Sequence, residues 1–268
     1  MLALIAGQGR LPAIVFEQLV EQGARPLVAE LSGFAAGTPV PADVTFRLET
    51  LASFFEDLRG RGVTKVVFAG RVRRPVLDPA VVDPATQPLI RALTNALRDG
   101  DDGALRIILD MFSQAGFEIV SAQDVAPQLL PSAGAPTRRH PGRDDGAEAR
   151  RGLAVIAAMG AADVGQACVV AQGVVLAVEA AAGTDWMLDT LTRRPDDLPP
   201  GGLLVKAPKP EQDRRADLPT IGPDTIRAAA AAGLAGVVIE AGGVLVIDAD
   251  QVVGEADRLG LFLWVRKP

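Results

Sequence analysis

Cysteine and histidine each occur once in the 268 residues, and both shortages exclude chemistry. A single thiol, Cys168, cannot form an internal disulfide and suits a reducing compartment. It lies in the apolar run Ala167-Cys168-Val169-Val170, where a buried structural thiol is expected rather than a nucleophile. The lone histidine, His140, stands in a proline- and arginine-rich stretch and is expected to be exposed, so Ser-His-Asp and Cys-His triads are poor candidates. Excess positive charge is also missing. The net charge is −6, which argues against nucleic acid as a partner. No apolar run approaches the ~20 residues of a membrane span. The opening Met1-Leu2-Ala3-Leu4-Ile5-Ala6-Gly7 has no basic start and turns into glycine too early for a secretory signal. The expectation is a cytoplasmic protein. With 49% hydrophobic and 22% charged residues, the chain has the balance of a soluble globular protein with room for two modest domains.

The first half alternates short apolar runs with amphipathic stretches. Strands are expected at 2–6, 26–31, 63–69 and 116–120, and helices at 11–22, 50–61, 87–98 and 102–115. That rhythm predicts a parallel sheet with helices packed on it. Periodicity stops after Pro127, and 131–146 has the proline, glycine and charge of a linker or hinge. It resumes with helices at 147–159, 184–191, 225–232 and 250–259, and strands at 166–171, 174–179, 203–207, 236–240, 244–248 and 261–265. The organisation expected is a domain at 1–130, a linker at 131–146 and a second α/β domain at 147–268, without internal repeats.

Ala6-Gly7-Gln8-Gly9-Arg10-Leu11-Pro12 falls between the first strand and first helix. Small residues there let backbone N–H groups approach an anion, and the helix N-terminus adds its positive end. A tight turn explains the same residues, since G-x-G lacks the third glycine of a dinucleotide fingerprint. Phe68-Ala69-Gly70-Arg71-Val72-Arg73-Arg74-Pro75 ends a later strand. In an open parallel sheet both glycine turns should lie at the strands' carboxyl ends, where ligands bind. Arg71, Arg73 and Arg74 are candidates for bidentate phosphate contact, against a solvated basic loop. Asp101 and Asp102 precede a helix, where capping competes with metal binding through hard oxygen ligands. Gln172-Gly173 turns a hairpin whose second strand ends at Glu179, close in sequence to Thr184 and Asp185. The densest stretch runs from Lys206-Ala207-Pro208-Lys209 through Asp213-Arg214-Arg215 to Asp217-Leu218-Pro219-Thr220. Cations and carboxylates on a proline-stiffened loop suit phosphoryl chemistry. A charged surface loop is the alternative.

These motifs together resemble the UDP-2,3-diacylglucosamine diphosphatases of lipid A biosynthesis, of the LpxI type. Residues 4–12 are similar to the family's L-I-A-G-x-G-x-L-P, residues 69–75 to its A-G-x-V-x-R-P, and 100–102 to its G-D-D. Residues 173–179 with 183–185 resemble G-x-V-x-A-V-E and G-T-D, 206–213 resembles K-x-x-K-P-x-Q-D, and 217–222 is D-L-P-T-I-G. The resemblance implies a Rossmann-like N-terminal domain, a distinct C-terminal α/β domain, and a ligand held between them. It implies hydrolysis of UDP-2,3-diacylglucosamine to UMP and 2,3-diacylglucosamine 1-phosphate with Mg2+ or another divalent cation such as Mn2+. Asp217 would be a metal ligand or water-orienting base, with Asp101 and Asp102 as further ligands. Lys206, Lys209 and Arg215 would stabilise charge. Ala6, Gly7, Gln8, Gly9, Leu11 and Pro12 would hold the UDP part, and Gly70, Arg71, Arg73, Gln172, Gly173, Glu179, Thr184, Asp185 and Thr220 would complete the substrate contacts. The two acyl chains need an apolar trough, expected in the C-terminal domain. The lipid would be met peripherally at the inner-membrane surface, and a homodimer is the assembly to test. A non-catalytic sugar-nucleotide-binding module fits the glycine turns equally well, but has no need of the aspartates at 213 and 217. A Rossmann oxidoreductase is weakened by the missing third glycine, with Glu30 as its one candidate ribose anchor.

Overall fold

Alternation along the first strand, β1 (Leu2–Ala6), sets the N-terminal architecture. Ala3 and Ile5 enter one apolar cluster, and Leu4 and Ala6 enter another on the opposite face. A strand buried on both sides must lie inside a parallel sheet covered twice. The structure, a computed structural model, describes residues 1–34, 40–72, 75–97, 101–210 and 212–268, excluding the side chains of Ala96, Asp101 and Asp102.

Chain order in the N-terminal region is β1, α1 (Leu11–Glu21), β2 (Leu27–Leu31), β3 (Val44–Phe46), α2 (Leu51–Gly60), β4 (Lys65–Ala69), α3 (Gln87–Ala96), α4 (Asp101–Gln114), β5 (Glu118–Val120) and α5 (Ala122–Val125). The strands pair in parallel in the order β3-β2-β1-β4-β5. Direction of growth reverses between β1 and β4, the switch point of a doubly wound sheet. Helices α1 and α5 cover one face through Val15, Leu19 and Val125. The other face is covered by α2, α3 and α4, where Phe112 packs on Phe54, Phe55, Phe68 and Phe117 at centroid separations of 4.8 to 6.3 Å.

The remainder comprises α6 (Asp145–Gly160), β6 (Ala167–Ala171), β7 (Val174–Val178), α7 (Gly183–Leu191), β8 (Leu203–Lys206), β9 (Thr220–Ile221), α8 (Pro223–Ala231), β10 (Gly236–Glu240), β11 (Leu245–Val246), α9 (Ala249–Leu259) and β12 (Phe262–Arg266). Its main sheet is ordered β12-β10-β8-β6-β7. The first three strands are parallel, and β6 joins antiparallel to both β8 and β7. Helix α6 lies on one face, approaching so closely that a Cβ on Gly152 would sit 2.5 Å from Val205 Cγ2. Helices α7, α8 and α9 cover the other. Cys168 is buried under α6, its thiol donating to the Gly152 carbonyl. Burial pushes that thiol up to about 12, so it is no nucleophile at neutral pH.

Contacts divide the chain into one unit of Met1–Pro127 with Asp213–Asp217, and a second of Gln128–Gln212 with Leu218–Pro268. The stretch expected to be a linker, 131–146, is therefore built into the second unit. Gly134 and Val265 exchange backbone hydrogen bonds of 2.9 and 2.8 Å. Thr137 Oγ1 accepts the Leu263 N–H, and Arg138 N donates to Asp257. Its proline and glycine content reflects an irregular path along the β12 edge, a way of satisfying that edge without a full strand. His140 is exposed, as expected.

Candidate active site

In the first unit, β1 and β4 are neighbours, so the two glycine turns leave the sheet side by side. Gly7 N donates to Ala69 O at 2.8 Å, and Gln8 and Arg71 exchange backbone hydrogen bonds of 2.8 and 2.9 Å. A Cβ on Gly7 would meet Arg71 O at 2.7 Å. One on Gly70, whose φ is +94°, would meet Gln8 O, Gly7 C and Pro12 Cγ, each at 2.8 Å. Ala6 and Pro12 are buried beneath the turn, Leu11 is half-buried, and Gln8, Gly9, Gly70 and Arg71 face solvent. The first helical turn of α1 has no side-chain cap, but Pro12 has no N–H and the Ala13 and Ile14 N–H groups already donate to Arg10 O at 3.1 and 3.2 Å, so an anion here would meet the positive end of the helix dipole rather than a row of free donors. Gly70→Ala should destabilise the protein by about 1–3 kcal/mol, the scale of a strained backbone position. Gly60→Ala, where the added Cβ meets nothing and φ is ordinary, should be nearly neutral. Equal melting temperatures for the two variants would contradict the interlocked turns.

In the second unit, the register of β6 between β7 and β8 gathers a buried polar network at one end of the sheet. Lys206 ends β8 opposite Ala167, and Glu179 follows β7. Lys206 Nζ donates to Thr184 Oγ1 at 2.7 Å, and that hydroxyl donates to Glu179 Oε1 at 2.5 Å. Lys206 Nζ lies 3.9 Å from the same carboxylate oxygen. Glu179 Oε2 accepts the Gln166 N–H at 2.9 Å. All three side chains are buried, at 6 to 7% exposure, and an ammonium and a carboxylate this close offset part of each other's desolvation cost. Lys209, also buried, donates to Asp163 Oδ1 at 2.6 Å, while its backbone N–H is held by Gln212 Oε1. Gln212 Nε2 donates in turn to Gln166 Oε1 at 2.9 Å.

The segment Asp213–Asp217 belongs by its contacts to the first unit. Gln123 Nε2 on α5 donates to Arg214 O at 2.8 Å. Arg215 grips Asp213 through two nitrogens, Nε and Nη2, at 3.0 and 2.7 Å. That hydrogen bond holds the Asp213 carboxyl below the usual aspartate value, with further support from Arg106 on α4. Asp217 N donates to Asp213 O at 3.1 Å, and Asp217 itself is half-buried.

Other expected site residues are placed apart. Gln172 and Gly173 form the β6–β7 hairpin tip with φ of +48° and +78°. Five residues of β7 separate them from Glu179, roughly 17 Å at a strand's rise. Asp185 does not cap α7, whose cap position is Ala182; its carboxylate is exposed in the first turn, near the helix dipole's positive end. Thr220 lies in β9, its hydroxyl donating to Leu218 O. Arg73, Arg74 and the side chains of Asp101 and Asp102 lie outside the described residues. Asp163, Gln166 and Gln212 were absent from the sequence expectations. Only Gln212 lay within a quoted motif, and nothing in local composition marks the other two.

The LpxI N-terminal domain model matches residues 1–129, and the LpxI C-terminal domain model matches residues 132–264. The chain is 41% identical over 274 aligned positions to the UDP-2,3-diacylglucosamine pyrophosphatase LpxI of Caulobacter vibrioides, covering 98% of this chain and 96% of that protein. Matched along nearly its whole length by both domains and by this relative, the chain belongs to the LpxI family.

Proposed function

We propose that this protein hydrolyses the pyrophosphate of UDP-2,3-diacylglucosamine, releasing UMP and 2,3-diacylglucosamine 1-phosphate, as a step of lipid A biosynthesis. The observation that carries this is the 41% identity across 98% of the chain to a pyrophosphatase named for that substrate. Water adds to one phosphorus, the P–O bond to the bridging oxygen breaks so that this oxygen leaves with the other phosphorus, protons are released, and the two products together carry more negative charge than the substrate. Cations that receive this charge lower the barrier most where water is excluded. Lys206 and Lys209 have that character, being buried and fixed by carboxylates rather than mobile at a surface. In this reading Asp217 orients the attacking water or binds a cation, and Arg215 shapes its loop through Asp213. The turns at 7–9 and 70–71 receive the nucleotide's phosphates, with the exposed Arg71 side chain supplying positive charge.

A divalent cation is part of the proposal, because two adjacent phosphoryl groups repel hydroxide until their charge is offset. Among the described residues no group of three or more His, Cys, Asp or Glu side chains converges as a metal cage. Asp213 is already gripped by Arg215. The described donors alone thus do not fit a fully liganded ion, and no step is drawn through one. Turnover is expected with Mg2+ or Mn2+, lost in excess EDTA and restored when the cation is returned. Undiminished turnover in EDTA would contradict the requirement. No helix among the described residues is long and apolar enough to cross a membrane, and peripheral contact with the inner-membrane surface is proposed as the route to the lipid.

A further inference from the structure

We infer that Asp163, a residue outside every motif of the family resemblance, positions Lys209 for the reaction; this rests on the reading that Lys209 stabilises charge. Asp163 follows the C-terminus of α6 and accepts a 2.6 Å hydrogen bond from Lys209 Nζ. The lysine side chain is 10% exposed and the carboxylate 30%, so the ammonium enters a desolvated position with its counter-charge on the wetter side. That arrangement offsets part of the cost of burying the ammonium. The surrounding backbone is shaped to make the contact. Asp163 has φ of +50°, a left-handed conformation uncommon outside glycine, asparagine and aspartate. Gly160, in the last turn of α6, is the other half of the device. A Cβ there would lie 2.7 Å from Pro210 Cδ and 3.2 Å from Lys209 Cβ. The helix end therefore packs directly on the residues it positions.

Gln166 ties this arm to its neighbour. Its side-chain oxygen accepts from Gln212, whose own oxygen holds the Lys209 N–H, and its backbone N–H holds Glu179, the partner of Lys206. The two lysines are thereby fixed with respect to one another through a single residue. Asp163 is assigned as a positioning residue: it acts through Lys209.

The test is a double-mutant cycle on the full chain, reading kcat and KM with UDP-2,3-diacylglucosamine. Asp163→Asn is the primary variant, because asparagine tolerates the left-handed backbone while removing the charge. Asp163→Gly serves if that variant folds poorly, since glycine adopts positive φ without strain. Asp163→Asn should lower kcat on the order of tenfold, the range of partners that orient a functional group, with KM changed less and melting close to wild type. Lys209→Ala should be slower still, and adding Asp163→Asn to it should cost nothing further, because the carboxylate then has nothing to position. A purely structural Asp163 would instead slow both backgrounds equally. Multiplicative losses, or a wild-type kcat for Asp163→Asn beside a slow Lys209→Ala, would overturn the inference alone. A wild-type rate for Lys209→Ala would overturn the role of the lysine, and the inference with it.

Discussion

Asp217→Ala is expected to fold normally and to lose at least about a hundredfold in turnover, the lower range for removing an acid–base group. Several contacts that shape the loop are made without this side chain. Asp213 and Arg215 clasp each other, Gln123 holds the Arg214 carbonyl, and the Asp217 contact to Asp213 is made by backbone. Alanine should therefore leave the loop in place. Substrate binding should persist, because the glycine turns at 7–9 and 70–71 are untouched, and the slow variant should retain bound substrate on purification. Thermal melting close to wild type is the control. A folded variant with near-normal turnover removes Asp217 from the chemistry, and Asp213 becomes the carboxylate to test. The clasp itself should be robust to acid. Arg215 lowers the Asp213 carboxyl, so its stabilisation is complete above the ordinary aspartate value and drains away only as pH falls toward the lowered one.

Lys206→Met carries the second large effect, and it should appear in stability as well as rate. The substitution strands Glu179, a buried carboxylate left with the Thr184 hydroxyl and the Gln166 N–H but no counter-charge. Breaking a buried pair from one side costs about 3–5 kcal/mol, enough to be obvious in thermal or urea unfolding. Adding Glu179→Gln removes the stranded charge and should recover much of that stability. It should not recover turnover if the ammonium receives charge on the phosphates, as proposed. Recovery of both would make Lys206 a structural partner and nothing more. A Lys206→Met variant as stable as wild type would contradict the buried network.

The two glycine turns were legible because their signals are local. Gly7 and Gly70 each directly follow an apolar run, and a parallel sheet places such turns at one edge without further information. Lys206 and Glu179 were legible as motif members but not as partners. Their pairing, 27 positions apart, depends on β6 lying antiparallel between β7 and β8, and no feature of either residue announces that register. A carboxylate ending an apolar strand faces either solvent or a basic partner, and Glu179 takes the second course, with Lys206 3.9 Å away and the Thr184 hydroxyl bonded to both. Asp163 and Gln166 were invisible for the same reason, since an aspartate and a glutamine beside glycine at a helix end read as ordinary turn chemistry. The stretch 131–146 misled through composition. Proline and arginine suggested a free connector, whereas Gly134 and Thr137 supply the hydrogen bonds that the β12 edge would otherwise lack. Strands β3 and β9, of three and two residues, are too short to show a period.

Pyrophosphate hydrolysis is defined by the bond that breaks. Purified protein incubated with UDP-2,3-diacylglucosamine and Mg2+, with the products separated and weighed by mass spectrometry, tests it most directly. UMP and 2,3-diacylglucosamine 1-phosphate are expected in equal amounts, with about a hundredth as much or less from Asp217→Ala over the same interval. Release of UDP with the diacylated sugar, or intact substrate recovered bound to a folded wild-type protein, would contradict it.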